Sequence, residues 1–238
     1  MCLRLGDVFP NFAADAHPEP ITSFHQWIGN SWAILFSHPA DFTPVCTTEL
    51  ARVVQLSDEF TKRGVKLIAL SIDSANSHAR WAPDILHIAK YGFTNEDTQE
   101  NQATPTVHRH TELPFPIIAD YDRVLAEQLG MIDPDERNAE GIPLTARAVF
   151  VIGPDKRLKL MLLYPASIGR NFDEILRLTD ALQLAAKAPV ATPVDWKPGQ
   201  DVMVVPTLTK EEADKRFADV CTIQVPSGQG YLRVTPHP

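Results

Sequence analysis

Hydrophobic residues along the chain follow two different patterns. Short, continuous apolar runs of the kind that form buried strands occupy residues 32–36 and 65–72. Between them, residues 50–60 carry apolar side chains at the three- and four-residue spacing of a helix. A strand, a helix and a second strand in this order predict a βαβ unit with a parallel strand pair in an α/β sheet.

Similar patterns predict further elements in the rest of the chain. Cap-forming residues at 73–77 predict the start of another helix. The later predicted elements are a strand at residues 113–120, a helix at 124–129, a polar turn at 133–141, a hairpin of strands at 146–152 and 158–164, and a long helix at 171–186. This alternation of strands and helices supports the α/β class.

Two segments differ in composition from the rest of the chain. Residues 87–112 have few apolar anchors and predict a long solvated loop. From residue 188 onward proline and glycine become frequent, and only residues 209–217 have a helical pattern. We therefore predict a main domain over residues 1–187 and a small C-terminal domain over residues 188–238, which is short for a domain that folds alone.

The overall composition narrows the choice of partners and compartment. Hydrophobic residues make up 44% of the 238 residues and charged residues 22%, and the formal net charge of −8 disfavours nucleic acid and anionic membranes as partners. The three cysteines, Cys2, Cys46 and Cys221, include no C-x-x-C pair and predict neither a disulfide framework nor a zinc site. Without a signal-peptide core or a membrane-spanning run, we expect a cytoplasmic protein with no integral membrane segment.

Cys46 is predicted to lie where the first strand passes into the following helix. Free N–H groups and the helix dipole favour an anion at that position, so we expect this thiol to ionise readily and to act as a nucleophile. Thr43, three residues earlier, shares a face of the turn with Cys46, and its hydroxyl is placed to donate to the sulfur or to an incoming oxygen. The structural alternative is a cysteine that packs as a small hydrophobe, with Thr43 as a helix cap.

The stretch around Cys46 resembles the peroxiredoxin active-site loop, in which Pro-x-x-x-Thr-x-x-Cys surrounds the peroxidatic cysteine. Pro39, Thr43 and Cys46 match that motif, and residues 38–50 (HPADFTPVCTTEL) are similar to the one-cysteine, peroxiredoxin-6-like branch. The resemblance covers nearly the whole chain, except that residues 87–112 look longer than their counterpart. It implies an α/β, thioredoxin-like fold with a central mixed sheet flanked by helices, plus a small C-terminal domain.

The same resemblance implies a thiol-dependent peroxidase that acts on hydrogen peroxide and on organic or lipid hydroperoxides. The thiolate of Cys46 would attack the peroxide, while Thr43, Arg147 and backbone N–H groups stabilise the departing oxygen. The resulting sulfenic acid needs a thiol reductant, for which we expect glutathione or a thioredoxin-like protein. No metal and no organic cofactor is expected. The expected assembly is a homodimer or a higher oligomer.

Further residues around Cys46 have expected supporting roles. Arg147 ends the sequence Leu144-Thr145-Ala146-Arg147, and in the peroxiredoxins that this sequence resembles the arginine contacts the peroxidatic sulfur. Glu49, one turn after Cys46, is expected to hold Arg147 in place. The alternatives are a surface arginine at a strand end and a first-turn acid that stabilises the helix dipole.

Three more residues are assigned to the site, with a structural alternative for two of them. His38 and Pro39 are expected to line the substrate pocket, although many histidines are only surface groups or satisfied core groups. Arg170 matches another family sequence and is expected to shape the site, or else to begin a helix.

The remaining cysteines leave the reductive step open. By the resemblance, an external thiol reduces Cys46, whereas the alternative is a two-cysteine mechanism with Cys221 as the resolving residue. Thr222 follows Cys221 where two-cysteine relatives have proline. Two further functions compete with a peroxidase: a non-enzymatic redox sensor or chaperone, and a thiol–disulfide exchange enzyme, which would lack its usual C-x-x-C motif here.

A second set of residues suggests a phospholipase A2 activity. Residues 29–33 resemble the Gly-x-Ser-x-Gly elbow of lipases, with Ser31 as the nucleophile and, by the same resemblance, His25 and Asp155 as its partners. Ala33 replaces the last glycine and places a Cβ where the elbow has none. The alternative is that Ser31 is a turn residue before a buried strand.

Overall fold

A computed structural model describes residues 3–92 and 110–238. The chain forms two compact units, Met1–Phe172 and Asp173–Pro238. Much of the predicted loop over residues 87–112 therefore lies outside the described residues. The boundary after residue 187 stays a prediction. Within the described ranges, no helix is long and apolar enough to cross a membrane.

The first unit contains eight strands and four helices in the part of the chain that is described. The strands are β1 (Ala16–His17), β2 (Trp32–Ser37), β3 (Val65–Ser71), β4 (Ile117–Ala119), β5 (Ile132–Arg137), β6 (Pro143–Thr145), β7 (Arg147–Ile152) and β8 (Leu158–Tyr164). The helices are α1 (Phe24–Ile28), α2 (Pro44–Lys62), α3 (Ala75–Tyr91) and α4 (Val124–Gln128).

Six of these strands form one mixed sheet in the order β1-β4-β3-β2-β7-β8. β2, β3 and β4 are parallel to one another, with Trp32 opposite Val65, whereas β1, β7 and β8 run antiparallel to their neighbours. The parallel pair joined by α2 confirms the predicted βαβ unit, and the mixed sheet with flanking helices confirms the α/β class.

The core of the first unit is built from the apolar runs that the sequence pattern identifies. Every residue of β7 is buried, and in β2 only Trp32 is partly exposed. On one face of the sheet the ring of Phe9 packs 5.5 Å from Phe24 and 5.7 Å from Phe150, measured between centroids. Burying each such side chain stabilises the fold by roughly 1.5–3 kcal/mol. The site lies at the end of β2 and the start of β7, on either side of this buried core.

The first turn of α2 is fixed by sequence signals on either side of Cys46. Thr43 is the N-cap residue in an extended conformation, and Pro44 occupies the first helical position, where its missing N–H costs nothing. The helix ends at Lys62, and Gly64 follows with φ 64°, a conformation that glycine adopts without strain. Cys46 is thus the third residue of the helix, which confirms its predicted place.

Two predictions in this unit were wrong. Residues 133–141 were expected to form only a polar turn, but β5 and β6 pair there as an antiparallel hairpin, with Ile132 opposite Thr145. Most side chains of β5 face solvent, so no apolar alternation marks this strand. The start of the predicted loop at residue 87 was also wrong, because α3 continues to Tyr91 before Gly92 ends it with φ 75°.

The second unit begins one residue into α5 (Phe172–Lys187) and continues with a small sheet. Its elements are β9 (Val190–Ala191), β10 (Val202–Val204), α6 (Lys210–Arg216), β11 (Cys221–Thr222) and β12 (Arg233–Thr235), with the sheet order β11-β12-β10-β9. Its core gathers around the buried Trp196, whose ring nitrogen donates to the carbonyl of Gln200 at 3.0 Å. The helix was predicted, whereas the four short strands were not.

Candidate active site

Cys46 lies buried in the first turn of α2, with 0% of its surface exposed. The Nη1 atom of Arg147, at the start of β7, donates to its sulfur at 3.3 Å. A guanidinium and a helix N-terminus are both groups that stabilise negative charge on a sulfur. The predicted pair of Cys46 and Arg147 is therefore brought together from positions 101 residues apart in the chain.

Glu49 holds the Arg147 guanidinium in place from one turn further along α2. Its Oε2 atom accepts from Arg147 Nη1 at 2.8 Å, and both groups are buried. The carbonyl of Ala166 accepts from the Nε and Nη2 atoms of Arg147 at 2.9 and 2.6 Å. With donors on three of its nitrogens occupied, the guanidinium has one orientation, and in that orientation Nη1 points at the sulfur.

A second arginine completes the charge balance around Glu49. The Nε and Nη2 atoms of Arg170 donate to the Glu49 carboxylate at 3.0 and 2.8 Å, and the Arg170 backbone N–H donates to it at 2.6 Å. Burial would raise the pKa of Glu49, but the guanidinium groups of Arg170 and Arg147 outweigh it and hold that pKa below its usual range. Both predicted supporting residues thus join one buried network with Cys46.

Thr43 makes no hydrogen bond with the Cys46 sulfur in the described part of the chain. Its hydroxyl donates to the carbonyl of Ala40 at 2.9 Å, and its side chain makes no capping hydrogen bond to the helix. The alternative in which the Thr43 side chain caps the helix is therefore not formed. The hydroxyl oxygen retains lone pairs and the side chain is partly exposed, so a substrate reaching the loop meets this group.

A groove of about 460 Å³ opens next to Thr43. Apolar atoms of Phe42, Trp81 and Ile88 form much of its lining, and Phe42 is 53% exposed. Phe42 also has φ 54°, in the left-handed region that non-glycine residues rarely occupy. The sequence analysis did not identify this groove, because its walls come from the loop and from the distant helix α3.

His38 and Pro39, which were expected to line the pocket, are both buried. The Nε2 atom of His38 lies 2.9 Å from Asp41 Oδ1, and the other oxygen of Asp41 lies 2.7 Å from the Nδ1 atom of His78. We call His38, Asp41 and His78 the histidine–aspartate cluster. Sequence reasoning missed Asp41 and His78, although Asp41 stands inside the recognised motif.

The ligand atoms of His38, Asp41 and Asp73 all lie within 4.8 Å of one another. Asp73 Oδ2 already accepts from the Asp41 backbone N–H and from the Ser71 hydroxyl, both at 2.9 Å. Because hydrogen bonds within the chain occupy both carboxylate oxygens of Asp41 and the Oδ2 atom of Asp73, we do not identify these residues as metal ligands.

The three residues of the lipase resemblance are not linked by hydrogen bonds in the described part of the chain. His25 Nε2 lies 2.7 Å from the carbonyl of Phe9, and Asp155 pairs with Lys159 at 2.6 Å. Ser31 is partly exposed before β2. Phospholipase A2 activity stays a prediction from the resemblance alone.

Cys221 lies exposed on β11 in the second unit, and both it and Cys46 are free thiols. No structural feature of Cys221 within its own unit indicates a partner cysteine. Its role as a resolving residue stays a prediction.

Comparisons with known proteins agree with the geometry. The AhpC/TSA family model matches residues 5–161, and the model of the C-terminal domain of 1-Cys peroxiredoxin matches residues 181–219. The chain is 58% identical to the 1-Cys peroxiredoxin of Onchocerca volvulus, over 98% of this chain and 97% of that protein. It is 56% identical to human peroxiredoxin-6, over 99% and 98%.

Solved structures give the same result. A mutant of peroxiredoxin 6 from Arenicola marina is 53% identical and superimposes with a TM-score of 0.89 over 99% of both chains. A yeast mitochondrial 1-Cys peroxiredoxin is 38% identical, with a TM-score of 0.81 over 98% of this chain and 99% of that one. The chain belongs to the peroxiredoxin family of thiol-dependent peroxidases, in its one-cysteine, peroxiredoxin-6-like branch.

Proposed function

We propose that Cys46 is the peroxidatic cysteine of this chain. Its thiolate attacks one oxygen of a hydroperoxide, so that an S–O bond forms while the O–O bond breaks. The sulfur is oxidised by two electrons to a sulfenic acid, and the departing oxygen leaves as an alcohol or as water after it takes a proton. The observation that carries this proposal is the 3.3 Å hydrogen bond from Arg147 to the Cys46 sulfur.

The surrounding residues have different roles in this step. Arg147 stabilises the sulfur anion and then the charge that develops on the departing oxygen, since its donors are already oriented before substrate arrives. Thr43 orients the incoming peroxide through its hydroxyl. Glu49 and Arg170 are positioning residues that act through Arg147, because their contacts are with the guanidinium and its surroundings rather than with the sulfur.

An external thiol completes the proposed cycle. A first thiol condenses with the sulfenic acid and releases water, and a second thiol then releases Cys46 together with a new disulfide. Support comes from the yeast relative, whose described thiol-resolving mechanism uses glutathione and thioredoxin systems. Two free thiols in the described residues, Cys46 and Cys221, also suit the reducing cytoplasm that we propose for the chain.

The groove beside Thr43 supports organic and lipid hydroperoxides as substrates in addition to hydrogen peroxide. Its apolar walls at Phe42, Trp81 and Ile88 would bind the carbon chain of such a molecule. Thr43 lines the same groove, so a carbon chain bound there carries its peroxide group toward the first turn of α2, which holds Cys46.

The outer edge of the main sheet supports assembly as a homodimer. β8 pairs with β7 on one side, and on its other side, among the described residues, only Leu158 is paired, through backbone hydrogen bonds with Gly6 and Asp7. It is seven residues long and apolar, and Leu163 is 52% exposed. A long apolar edge strand offers unpaired backbone groups to a second strand, and a second copy of β8 satisfies them.

The test is hydrogen peroxide consumption by the wild type, Cys46→Ser and Cys221→Ser, each with glutathione supplied. We expect steady turnover that is lost only in Cys46→Ser, with Cys221→Ser as the matched cysteine control. Loss in both variants would make Cys221 the resolving residue. A wild type that stops after one equivalent would be a sensor, and an active Cys46→Ser would overturn the assignment.

A further inference from the structure

The histidine–aspartate cluster is a second buried charge network, close to Cys46 in the sequence but separate from the arginine network. His38 and His78 are both 0% exposed, and Asp41 is 7% exposed. The single carboxylate of Asp41 faces one imidazole with each oxygen, at 2.9 and 2.7 Å. The peroxidase step as derived above does not use this network.

The surroundings of His78 determine how many protons its ring carries. Its Nδ1 atom faces the Asp41 carboxylate at 2.7 Å, and its Nε2 atom faces the carbonyl of Ile118 at 3.2 Å. A carbonyl oxygen accepts hydrogen bonds and never donates them, and the same is true of an ionised carboxylate. Both contacts are hydrogen bonds only if both ring nitrogens of His78 carry protons.

The Asp41 carboxyl is the other group that could hold the second proton. Burial would raise the pKa of Asp41, but the hydrogen bonds from His38 and His78 outweigh it and hold that pKa well below its ordinary value. The carboxyl is therefore ionised, and the proton between it and the ring belongs to His78.

His38 shows the opposite arrangement. Its Nε2 atom donates to Asp41, whereas its Nδ1 atom is fully buried and has no hydrogen-bond partner among the described residues. Burial also holds the pKa of His38 below its ordinary value, although the Asp41 carboxylate opposes this effect. His38 is thus the neutral tautomer with its proton on Nε2, and the cluster holds one positive and one negative charge.

This ion pair ties the loop before α2 to helix α3. Around it, the backbone N–H of His38 donates to the carbonyl of Leu70 at 3.0 Å, and the carbonyl of His38 accepts from the Thr145 hydroxyl at 2.6 Å. The backbone N–H of Asp41 donates to Asp73 at 2.9 Å. Backbone contacts therefore hold the two ends of the segment 38–41, while the ion pair holds it through a side chain.

We propose that His78 carries a positive charge at neutral pH, that His38 is neutral, and that the His78–Asp41 ion pair positions the loop on which Thr43 and Cys46 depend. Asp41 and His78 are then positioning residues for the peroxidase reaction. The charge assignment stands by itself, whereas the positioning role rests on the proposed function of Cys46.

Three other titratable groups lie around the cluster: His17, Asp73 and Glu112. His17 lies on β1, and burial together with the neighbouring His78 lowers its pKa, while Glu112 opposes this. Asp73, after β3, holds its carboxylate on the Asp41 backbone and on the Ser71 hydroxyl. Spectral changes of the cluster must therefore be separated from those of His17.

The charge assignment is tested by NMR on the wild-type protein labelled with ¹⁵N-histidine and assigned through the backbone. The two ring-nitrogen shifts distinguish an imidazolium from either neutral tautomer. We expect both ring nitrogens of His78 to be protonated at pH 7, because each faces a hydrogen-bond acceptor. His38 is expected to show one protonated and one bare nitrogen. A neutral His78 at pH 7 would overturn the proposal without any variant being made.

The link between the two residues is tested by the same spectra of Asp41→Asn. Without the carboxylate, His78 is expected to show one protonated and one bare ring nitrogen at pH 7. An unchanged His78 in this variant would overturn the assignment of Asp41 as its counter-charge. His237→Gln, in the second unit, serves as the control and is expected to leave the His78 shifts unchanged.

The positioning role is tested by the rate constant for oxidation of Cys46 by hydrogen peroxide as a function of pH. Asp41→Asn is expected to lower it by roughly tenfold or more, because small misplacements of reacting groups are costly. It is also expected to change the shape of the pH profile relative to the wild type, and the double variant with His78→Gln is expected to remove that change. A purely structural role would leave the shape of the profile unchanged, and that result would overturn the positioning role.

The outcomes also separate this inference from the proposed function. If Cys46→Ser abolishes turnover while Asp41→Asn keeps the wild-type rate and profile, only the positioning role fails. If Cys46→Ser stays active, the peroxidatic assignment fails, and the charge on His78 is still decided by the spectra.

Discussion

Two buried carboxylates organise the two networks, and they do so with different partners. Glu49 on α2 lies between the guanidinium groups of Arg147 and Arg170, whereas Asp41 lies between the imidazoles of His38 and His78. Arginine stays protonated at every pH that the fold survives, while the charge on a histidine depends on its surroundings.

The two networks differ in the kind of cation that each contains. The cation that touches the sulfur is an arginine, so the reactive group faces a positive charge that does not titrate away. The cation that anchors the loop is a histidine, whose proton is held by a single carboxylate. The chemistry at the sulfur therefore depends on an arginine that is always charged. The geometry of the loop depends on a histidine that is charged only because the Asp41 carboxylate faces it.

The largest expected effect comes from replacing the permanent cation. Arg147→Met should lower the rate constant of Cys46 oxidation by roughly 10²–10³, the usual loss when one oriented transition-state donor is removed. Stopped-flow measurement with hydrogen peroxide gives the rate constant directly. Arg80→Lys, at an exposed position on α3, is the control and should match the wild type. A rate loss below about fivefold in Arg147→Met would contradict the view that the chemistry at the sulfur depends on the arginine network.

The next prediction compares both carboxylates through the pH dependence of stability. Each has a folded-state pKa below its ordinary value, so each stabilises the fold above the unfolded-state values of about 3.9 for Asp and 4.3 for Glu. As the pH falls below those values, the unfolded state binds more protons and this stabilisation is lost. We therefore expect the free energy of unfolding of the wild type to fall in that acid range.

Variants measure how much of this loss of stability at low pH comes from each network. The stability gap between the wild type and Glu49→Gln, or Asp41→Asn, should narrow by roughly 1–2 kcal/mol from pH 7 to pH 3, because at pH 3 the carboxyl group is protonated in the unfolded wild-type chain but still ionised in the folded one. Urea unfolding at several pH values measures the gap. For Glu127→Gln, at an exposed position, the stability gap to the wild type should stay constant. A gap that is independent of pH for Glu49 or Asp41 would contradict the charge assignment of that network.

The arginine network was largely predictable from the sequence. Cys46 follows a recognisable strand and stands in a known motif, and Arg147 and Glu49 were expected beside it. The helix position also followed from local signals, since Pro44 and Gly64 mark where α2 begins and ends. Local patterns predicted the positions of Cys46 and of α2, whereas the contact with Arg147 was expected from the resemblance of residues 144–147 to peroxiredoxins.

The histidine–aspartate cluster could not be predicted in the same way. His78 is 37 residues from Asp41, and their contact depends on how α3 packs against the loop. Hydrophobic periodicity does not predict how two distant segments pack, and a single histidine on a helix does not indicate which residue it will contact. The small sheet of the second unit was missed for another reason, because strands of two or three residues are too short to show alternation.

The smallest expected effect concerns the hydrogen bond that connects the two networks. Thr145, two residues before Arg147, is fully buried and donates from its hydroxyl to the carbonyl of His38 at 2.6 Å. Thr145→Val keeps the shape of the side chain but removes this donor, which should lower the free energy of unfolding by about 1 kcal/mol. Urea unfolding checks this loss, with the exposed Thr207→Val as the control.

The same variant also shows whether the two networks are independent. If they are, Thr145→Val should change the rate constant of Cys46 oxidation by less than about threefold, since neither Arg147 nor Asp41 loses a partner. A rate loss as large as that of Arg147→Met would mean that the loop and the arginine move together. In that case the fixed and the conditional charge would form one network, with Thr145 as the connection.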